Sequence, residues 1–526
     1  MFIRELFSDK SNVDVLAQSK EKYISFTKHL HVGNYVDKDG ISKRRMLKLR
    51  FIDSFKFMAS SLQALGGNLN PDLFFETKKH FPDQRKFELM RQKGVFPYNF
   101  VDSLDKLDYD RLPSKREFYD KLNDEAVSEL DYRRAQKVWD LFNCQSLGEY
   151  SDIYLKSDVL LLCDIFQNFR KICFETYKLD PAQYFTAPGL AWDAMLKLTK
   201  VNLELLTDID MIYMLKKGIR GGISQCTERK HIANNMFLPN YNSEEPSSFI
   251  TYLDATNLYG HSMSQPLPTG GFTWVNESDI KNFDVMEVSD ESRYGFILEV
   301  DVDYPEELHD KHTDLPFLAE NIVPPNSKSK LKKLIPNLYN KRNYVIHYKT
   351  LQQAIKNGLI LKKIHRVLKF EQSRWLKQYI DLNTQMRNRA SNKFEKDFYK
   401  LMNNSVFGKT MENVDNRKDI KLCTHWENIG QKTGASSLIA QPHFKTQKGG
   451  VLLRKMSTFT TTLHDMFTEM KDKVALSHKD DKRYIIPNTC KTLAWGHSDI
   501  PFYETSPTQN LEYLLRAYDE LCGNDV

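Results

Sequence analysis

The sequence predicts an α+β protein of several domains, and three observations support that fold class. At 526 residues, a domain size of roughly 150 residues gives about three or four domains. Hydrophobic residues make up 41% of the chain and aromatic residues 12%, which is typical of folded proteins and not of disordered ones. Segments with helical periodicity are interspersed with segments that alternate like strands.

The N-terminal half begins with short elements and continues with helices. Residues 1–110 combine short apolar runs with loops rich in glycine, asparagine, aspartate and proline, which predicts mixed α/β structure. A long helix is predicted from Ser151 to Phe174, because Ser151 is a suitable N-cap and apolar residues recur every three or four positions after it. Residues 180–195 predict a turn-rich entry to another helix, and the glycine-rich residues 218–225 predict a joint.

The C-terminal half contains two predicted strands and a long helical region. Residues 247–260, SSFITYLDATNLYG, alternate like a strand that ends after Asp254 and turns at Gly260. Residues 294–308 predict a second strand, and a helical pattern extends from about 371 to 411. The chain shows no internal repeat.

Charge and cysteine content limit the class of protein. The net charge is +6, from 75 basic and 69 acidic residues, which permits a polyanionic partner without requiring one. The basic residues cluster at 42–50, 328–334 and 361–370, and most runs of this kind are solvated faces. The seven cysteines have no CxxC or zinc-site spacing, so free thiols in a reducing compartment are expected. Without a membrane-length apolar run or a signal peptide, we expect a soluble intracellular protein, nuclear or cytoplasmic, with no membrane partner.

Several polar residues stand at positions suited to phosphate chemistry. Asp254 lies where the first predicted strand ends, and a carboxylate there can bind Mg²⁺ through one oxygen, although such an aspartate is more often a turn-former. Lys400 and Asn404 are one helical turn apart, and a lysine suits a triphosphate. By spacing alone, a solvated basic helix is the commoner explanation. Tyr154 and Asp158 also share a helix face.

Together these residues resemble a known family. D-x3-L-Y at 254–259, followed by K-x3-N-S-x-F-G at 400–408, resembles the first two polymerase motifs of the family B DNA polymerases. The likeness is to their protein-primed branch, found in linear-genome phages, adenoviruses and Maverick/Polinton elements. Segments such as RFIDSFKFMASSL, YLKSDVLLLCDIF, YFTAPGLAWDAM and RGGISQ resemble Polinton-type enzymes in the same order.

The resemblance implies a truncated ribonuclease-H-like 3′–5′ exonuclease module, followed by a right-hand palm and helical fingers. Asp254 would be the catalytic residue and a palm metal ligand in the two-metal transfer of deoxynucleoside triphosphates to a DNA primer-template, with Mg²⁺ as cofactor. The chain around Tyr259 would exclude ribonucleotides by steric contact, and Lys400, supported by Asn404, would neutralise the triphosphate. The other implied nucleotide-binding residues are Phe407, which replaces a common tyrosine, Arg387 and Arg389.

Two further motifs and a primer are implied by the same likeness. Gly221 and Gly222 match a glycine pair that joins the exonuclease and polymerase modules and lets the template approach the backbone. Tyr154 and Asp158 match the third exonuclease motif, in which the aspartate binds metal and the tyrosine orients the attacking water. A terminal protein would supply the primer. The implied division is an exonuclease-like domain at 1–180, connecting helices at 181–246, a palm with an insertion at 247–345, fingers at 346–411, and a partial palm with a C-terminal remnant at 412–526.

The chain also departs from the family pattern. The other exonuclease carboxylates would precede the first residue, so proofreading is not expected. A D-T-D triplet should follow Gly408, and none occurs. The D-x-D triplets at 208–210 and 301–303 come earlier, and we assign the second a structural role. Asp480 and Asp481 are weak substitutes.

These departures shape the expected function. An internal deletion or gene-model splice near 446–456 is the simplest explanation, and KRY at 482–484 is a literal match to a thumb motif in the wrong context. We therefore expect a DNA-directed DNA polymerase by family, with impaired turnover. The alternatives are a non-catalytic remnant that binds DNA or nucleotide, and a stand-alone nuclease.

Overall fold

The computed structural model describes residues 13–18, 22–251, 253–255, 257–325, 327, 329–414 and 481–501. The chain divides into two compact units. The first comprises Met1–Val201, Asn257–Gln265 and Trp375–Lys448, and the second Asn202–Thr256, Pro266–Arg374 and Gly449–Val526. The five-part division expected from the sequence stays a prediction.

The strands of the described residues form four antiparallel sheets. The strands are β1 Val13–Ala17, β2 Tyr23–Val36, β3 Ser42–Ile52, β4 Leu267–Trp274, β5 Tyr294–Asp303, β6 Glu320–Ile322, β7 Lys333–Ile335, β8 Lys341–His347, β9 Ile360–Ser373, β10 Arg483–Ile485 and β11 Thr492–Ala494. The sheet orders are β1-β2-β3, β4-β9-β5-β8, β6-β7 and β10-β11.

Helices dominate the first unit and flank the sheets of the second. The α-helices of the described residues are α1 Leu62–Asn68, α2 Phe75–His80, α3 Gln84–Met90, α4 Glu129–Phe142, α5 Leu147–Tyr177, α6 Ala187–Thr199, α7 Ile209–Gly218, α8 Leu258–Met263, α9 Glu277–Ile280, α10 His309–His312, α11 Tyr348–Lys356, α12 Lys377–Arg389 and α13 Lys393–Thr410. Short 3-10 helices occur at Ser54–Lys56, Pro71–Leu73, Leu104–Asp108, Lys115–Phe118, Pro181–Gln183, Val285–Glu287 and Glu306–Leu308.

The long helix α5 is confirmed, but its predicted start at Ser151 is wrong. Ser146 is the N-cap, and its hydroxyl accepts the backbone N–H of Glu149 at 3.3 Å. The Glu149 carboxylate in turn accepts the N–H of Gln145 at 2.8 Å. The Ser146 hydroxyl satisfies one free N–H group of the first turn, and the Gln145 bond ties the preceding residue to that turn, so the helix begins at Leu147.

The strand predicted for 247–260 is also wrong. Residues 247–251 and 253–255 belong to no strand, and α8 follows directly. Gly260, predicted as a turn, lies inside α8, where an added Cβ would meet the Asn257 side chain at 2.3 Å. Strand-like alternation forms a strand only when a neighbouring strand supplies hydrogen bonds, and the described part of the chain provides no such partner for this segment.

Other predicted elements are present. The mixed α/β character of residues 1–110 is confirmed by β1–β3 and α1–α3. The helix predicted to follow the turn-rich segment 180–195 is α6, which begins inside that segment at Ala187, and the strand predicted within 294–308 is β5. The helical region 371–411 is confirmed from Lys377 onward as α12 and α13, whereas its first residues complete β9.

The second unit is built around the β4-β9-β5-β8 sheet, which has a helix on each face. On one face, Leu298 and Val300 of β5 pack in a cluster with Leu351 of α11. On the other face, Met211 and Met214 of α7 pack against strand residues of the sheet such as Val345 and Leu368. Strand side chains alternate between the two faces of a sheet, and both faces are covered here, so the consecutive residues Tyr344, Val345 and Ile346 of β8 are all buried.

The D-x-D triplet on β5 has the structural role that we assigned to it. Asp301 accepts the Asn343 N–H at 2.8 Å and lies 2.9 Å from the His365 ring nitrogen. Burial opposes ionisation of Asp301, but these two partners outweigh it and lower its pKa. Asp303 pairs with Arg342 at 2.8 Å. The earlier triplet is structural too, since Asp208 caps α7.

The segment 481–501 packs within the second unit as a hairpin. Arg483 is buried and donates to the Thr492 hydroxyl at 2.7 Å and the Thr313 carbonyl at 2.6 Å. Asp481 pairs with Lys333. KRY at 482–484 therefore serves the hairpin, and Asp481 is a structural carboxylate. Asp480 and the suspected junction at 446–456 lie outside the described residues.

No helix among the described residues is long and apolar enough to cross a membrane. The expectation of free thiols is confirmed for five cysteines in this part of the chain, namely Cys144, Cys163, Cys173, Cys226 and Cys490.

Candidate functional site

Helix α13 presents one polar face to solvent. Its N-cap is Asn392, whose side chain accepts the Glu395 N–H at 2.9 Å. Lys396, Lys400 and Asn404 follow at four-residue intervals and are all exposed, so they form one stripe along the helix. The opposite face is buried and consists of aromatic and apolar side chains, namely Phe394, Phe398, Tyr399, Met402 and Val406.

Buried polar contacts hold α13 against its neighbours. The Asn383 side-chain amide on α12 donates to the side-chain amide oxygen Oδ1 of Asn403 on α13 at 2.7 Å. Asn383 also accepts the Tyr177 hydroxyl of α5 at 2.5 Å. Burial raises the pKa of Tyr177 well above its usual value, so this phenol stays a donor. Each of these buried polar groups has a hydrogen-bond partner within the chain. These bonds fix the rotation of α13 about its axis and therefore the direction in which Lys400 extends.

An aromatic pair stands at the C-terminal end of the exposed stripe. The Tyr259 ring on α8 stacks on the Phe407 ring with centroids 4.1 Å apart and planes at 21°. Tyr259 is 53% exposed and Phe407 is half-buried. One ring therefore supports the other from below and leaves a flat aromatic surface open to solvent, which is suited to a base or sugar.

The cations near this stripe are not engaged elsewhere. Arg387 and Arg389 at the end of α12 are exposed, and they have no ion pair with any residue that the structure describes. The same holds for Lys400. By contrast, Lys409 on α13 pairs with Glu412 at 2.6 Å. Exposed cations without an ion-pair partner attract a polyanion.

Asp254 does not lie in a cluster of metal ligands in the described part of the chain. It is exposed and outside any strand. The described residues contain one group of three that could share an ion, formed by Asp310, His497 and Asp499 within 4.8 Å of one another. In that group the His497 Nδ1 already accepts the Asp499 N–H at 3.1 Å. Two Mg²⁺ ions need several carboxylates around them, and among the described residues Asp254 has no such companions, so this part of the chain alone does not supply their donor set.

The glycine pair 221–222 lies in an exposed segment of the second unit. Gly222 has a φ of +78°, in the left-handed region that glycine tolerates. An added Cβ on Gly221 would meet nothing within 4 Å. The packing of the described residues therefore does not require Gly221, and its template-binding role stays a prediction.

The exonuclease-like pair is brought together on α5, with a lysine that the sequence reasoning missed. The Lys93 ammonium donates to both the Tyr154 hydroxyl and the Asp158 carboxylate. The Tyr98 and Tyr154 hydroxyls are 2.7 Å apart. Burial and then the bond to Tyr98 raise the pKa of Tyr154. A cation thus already neutralises Asp158, and its metal-binding role stays a prediction.

Replacing Lys93 tests this arrangement. Lys93→Ala should lower the free energy of unfolding by about 1–3 kcal/mol, because Asp158 would be left partly buried without its charged donor. Lys79→Ala is a matched control, because Lys79 is exposed and its ion pair with Glu76 is long, at 3.8 Å. This variant should change stability by under about 1 kcal/mol. Equal losses in urea unfolding for both variants would contradict the role of Lys93.

The chain matches the family described as DNA polymerase type B, organellar and viral, over residues 6–492. It belongs to that family. No curated protein was found to match the sequence.

Solved structures similar to this family B chain include phi29 DNA polymerase in several states. The orthorhombic crystal form is 14% identical with a TM-score of 0.37, over 76% of this chain and 54% of that one. The binary complex with primer-template DNA is 14% identical with a TM-score of 0.39, over 78% and 57%. The ternary complex with primer-template DNA and incoming nucleotides is 14% identical with a TM-score of 0.36, over 75% and 53%. The family B chain thus spans a little over half the length of these polymerases.

Proposed function

We propose that the chain is by descent a protein-primed, Polinton-type family B DNA-directed DNA polymerase, and that it binds a DNA primer-template and deoxynucleoside triphosphates. The observation that carries the proposal is the exposed stripe of α13. There Lys400 and Asn404, which have no ion pair or side-chain hydrogen bond within the described residues, lead to the stacked rings of Tyr259 and Phe407.

Each residue of the stripe has a distinct role in this proposal. The Lys400 ammonium neutralises the triphosphate as a mobile point charge, and the Asn404 amide supports it by donating to a phosphate oxygen. Arg387 and Arg389 assist from α12. Tyr259, held on the Phe407 ring, packs under the sugar, where a 2′-hydroxyl would collide with it.

We propose that turnover by these 526 residues is impaired. The family's chemistry needs a second palm carboxylate beside Asp254, and no D-x-D triplet follows Gly408 in the sequence. The same observation favours a second candidate function, a non-catalytic remnant that retains DNA and nucleotide binding. A stand-alone nuclease has the least support, since Lys93 already occupies the Asp158 carboxylate.

Primer extension with the purified chain tests this function. We expect DNA binding that weakens with salt, together with extension no greater than that of an Asp254→Ala variant. Extension by the wild-type chain that Asp254→Ala abolishes would show that another carboxylate completes the site, and would overturn the proposal of impaired turnover. Absence of any DNA or nucleotide binding would overturn the polymerase assignment itself.

A further inference from the structure

The hairpin of β2 and β3, which we call the basic ribbon, carries most of the excess positive charge of the chain. Residues 23–52 contain seven lysines or arginines and two aspartates. Their net charge of +5 compares with +6 for all 526 residues. Elsewhere acidic and basic residues nearly balance, so this concentration is a local feature and not a consequence of overall composition.

The register of the ribbon places basic side chains along one face. Opposite residues in an antiparallel pair share a face, and successive residues alternate between faces. Arg44 pairs with Asn34 and Lys48 pairs with His29, so one face of β3 carries Arg44, Lys48 and Arg50. Arg45 lies on the other face.

Three cations of the ribbon have no ion-pair partner among the described residues. Arg44, Arg45 and Lys48 are exposed, and they form no ion pair with any described residue. Two other cations of the ribbon are engaged: Lys43 pairs with Asp37 at 2.6 Å, and Arg50 donates to a carbonyl oxygen of the first unit at 3.3 Å. Like charges held close together on adjacent positions repel one another, so an external anion would stabilise them.

We propose that the basic ribbon is a second DNA-binding surface, which contacts the phosphates of duplex DNA through Arg44, Arg45 and Lys48. A two-stranded ribbon fits a major groove about 12 Å wide, and four residues of strand place Arg44 and Lys48 roughly 13 Å apart. The contacts are to phosphates and carry no base preference. That the polyanion is DNA rests on the proposed function, whereas nucleotide binding at α13 does not depend on the ribbon.

The salt dependence of duplex binding tests this surface. The triple variant is Arg44→Gln/Arg45→Gln/Lys48→Gln. Log affinity decreases with log salt, and in this variant the slope of that decrease should become shallower by about 2–3. Its affinity at about 0.1 M salt should fall about tenfold or more. The matched control removes three exposed helix lysines of the first unit and should keep the wild-type slope. The control variant is Lys78→Gln/Lys137→Gln/Lys171→Gln.

Two further measurements do not depend on how the triple variant folds. Arg44→Lys/Arg45→Lys keeps the charges and should keep the slope. In the wild-type chain, duplex DNA should protect Lys48 from an amine-acylating reagent and leave Lys78 reactive. An unchanged slope in the triple variant, an equal fall in the control, or an effect on single-stranded DNA alone would overturn the proposal. Nucleotide binding at α13, measured in parallel, reports separately on the proposed function.

Discussion

Lys400→Ala should weaken the binding of a deoxynucleoside triphosphate to the chain by about ten- to a hundredfold. A hydrogen bond to a charged group contributes about 1.5–3 kcal/mol, and each 1.4 kcal/mol is a factor of ten in affinity. Lys400 is exposed and has no ion-pair partner among the described residues. Its removal should therefore change the free energy of unfolding little and reduce the affinity for the nucleotide strongly. A titration with a fluorescent deoxynucleotide, in the presence of primer-template, measures the change.

The same helix supplies the control for this experiment. Lys409→Ala removes a lysine of α13 that is already neutralised by Glu412 at 2.6 Å, and it should change nucleotide affinity less than about threefold. Lys400→Arg retains the charge and should recover most of the affinity. Equal losses in Lys400→Ala and Lys409→Ala would mean that the helix acts only through its general positive field.

Lys341→Ala should lower the free energy of unfolding of the second unit by about 3–5 kcal/mol, the usual cost of removing one partner of a buried ion pair. The Lys341 side chain is fully buried, and its ammonium donates to Glu320 at 2.8 Å and also to the Asn337 side chain. Lys341→Met keeps the apolar stem and should recover part of the loss. The exposed Lys362, 3.8 Å from Asp303, provides a control expected to lose under about 1 kcal/mol.

The pH dependence of stability gives an independent check on Lys341. Burial lowers its pKa to about 8, against the opposing attraction of Glu320. The unfolded chain therefore binds the proton more tightly, so the free energy of unfolding should rise as pH increases from about 8 to 10.5. Relative to Lys341→Met, the gain should reach about 3 kcal/mol. Parallel pH profiles of the two proteins would contradict this burial.

Local periodicity predicted the helices and the stripe of α13, because residues three and four apart share a face whatever the rest of the chain does. The exposed positions of Lys400 and Asn404 follow from that rule. The observed N-cap of α5 differs from the predicted Ser151 because a second serine, Ser146, precedes it and accepts the N–H of Glu149.

Contacts between distant segments could not be predicted in the same way. Lys93 meets Asp158 across 65 positions, and Asn383 meets Asn403 between two helices, without a local pattern to signal either pair. The strand predicted to end at Asp254 failed for a related reason, since a strand depends on a partner elsewhere in the chain. The basic run 42–50 can be identified in the sequence. That its side chains lie on an exposed two-stranded ribbon depends on the pairing of β2 with β3, which the sequence does not predict.

The most direct test of the central claim is photocrosslinking with an azido-deoxynucleoside triphosphate in the presence of primer-template, followed by mapping of the adduct. Binding at the stripe predicts adducts on α13 or α8, lost when excess unlabelled deoxynucleotide competes and reduced in Lys400→Ala. Competed adducts confined to other parts of the chain, and unaffected by Lys400→Ala, would contradict the account.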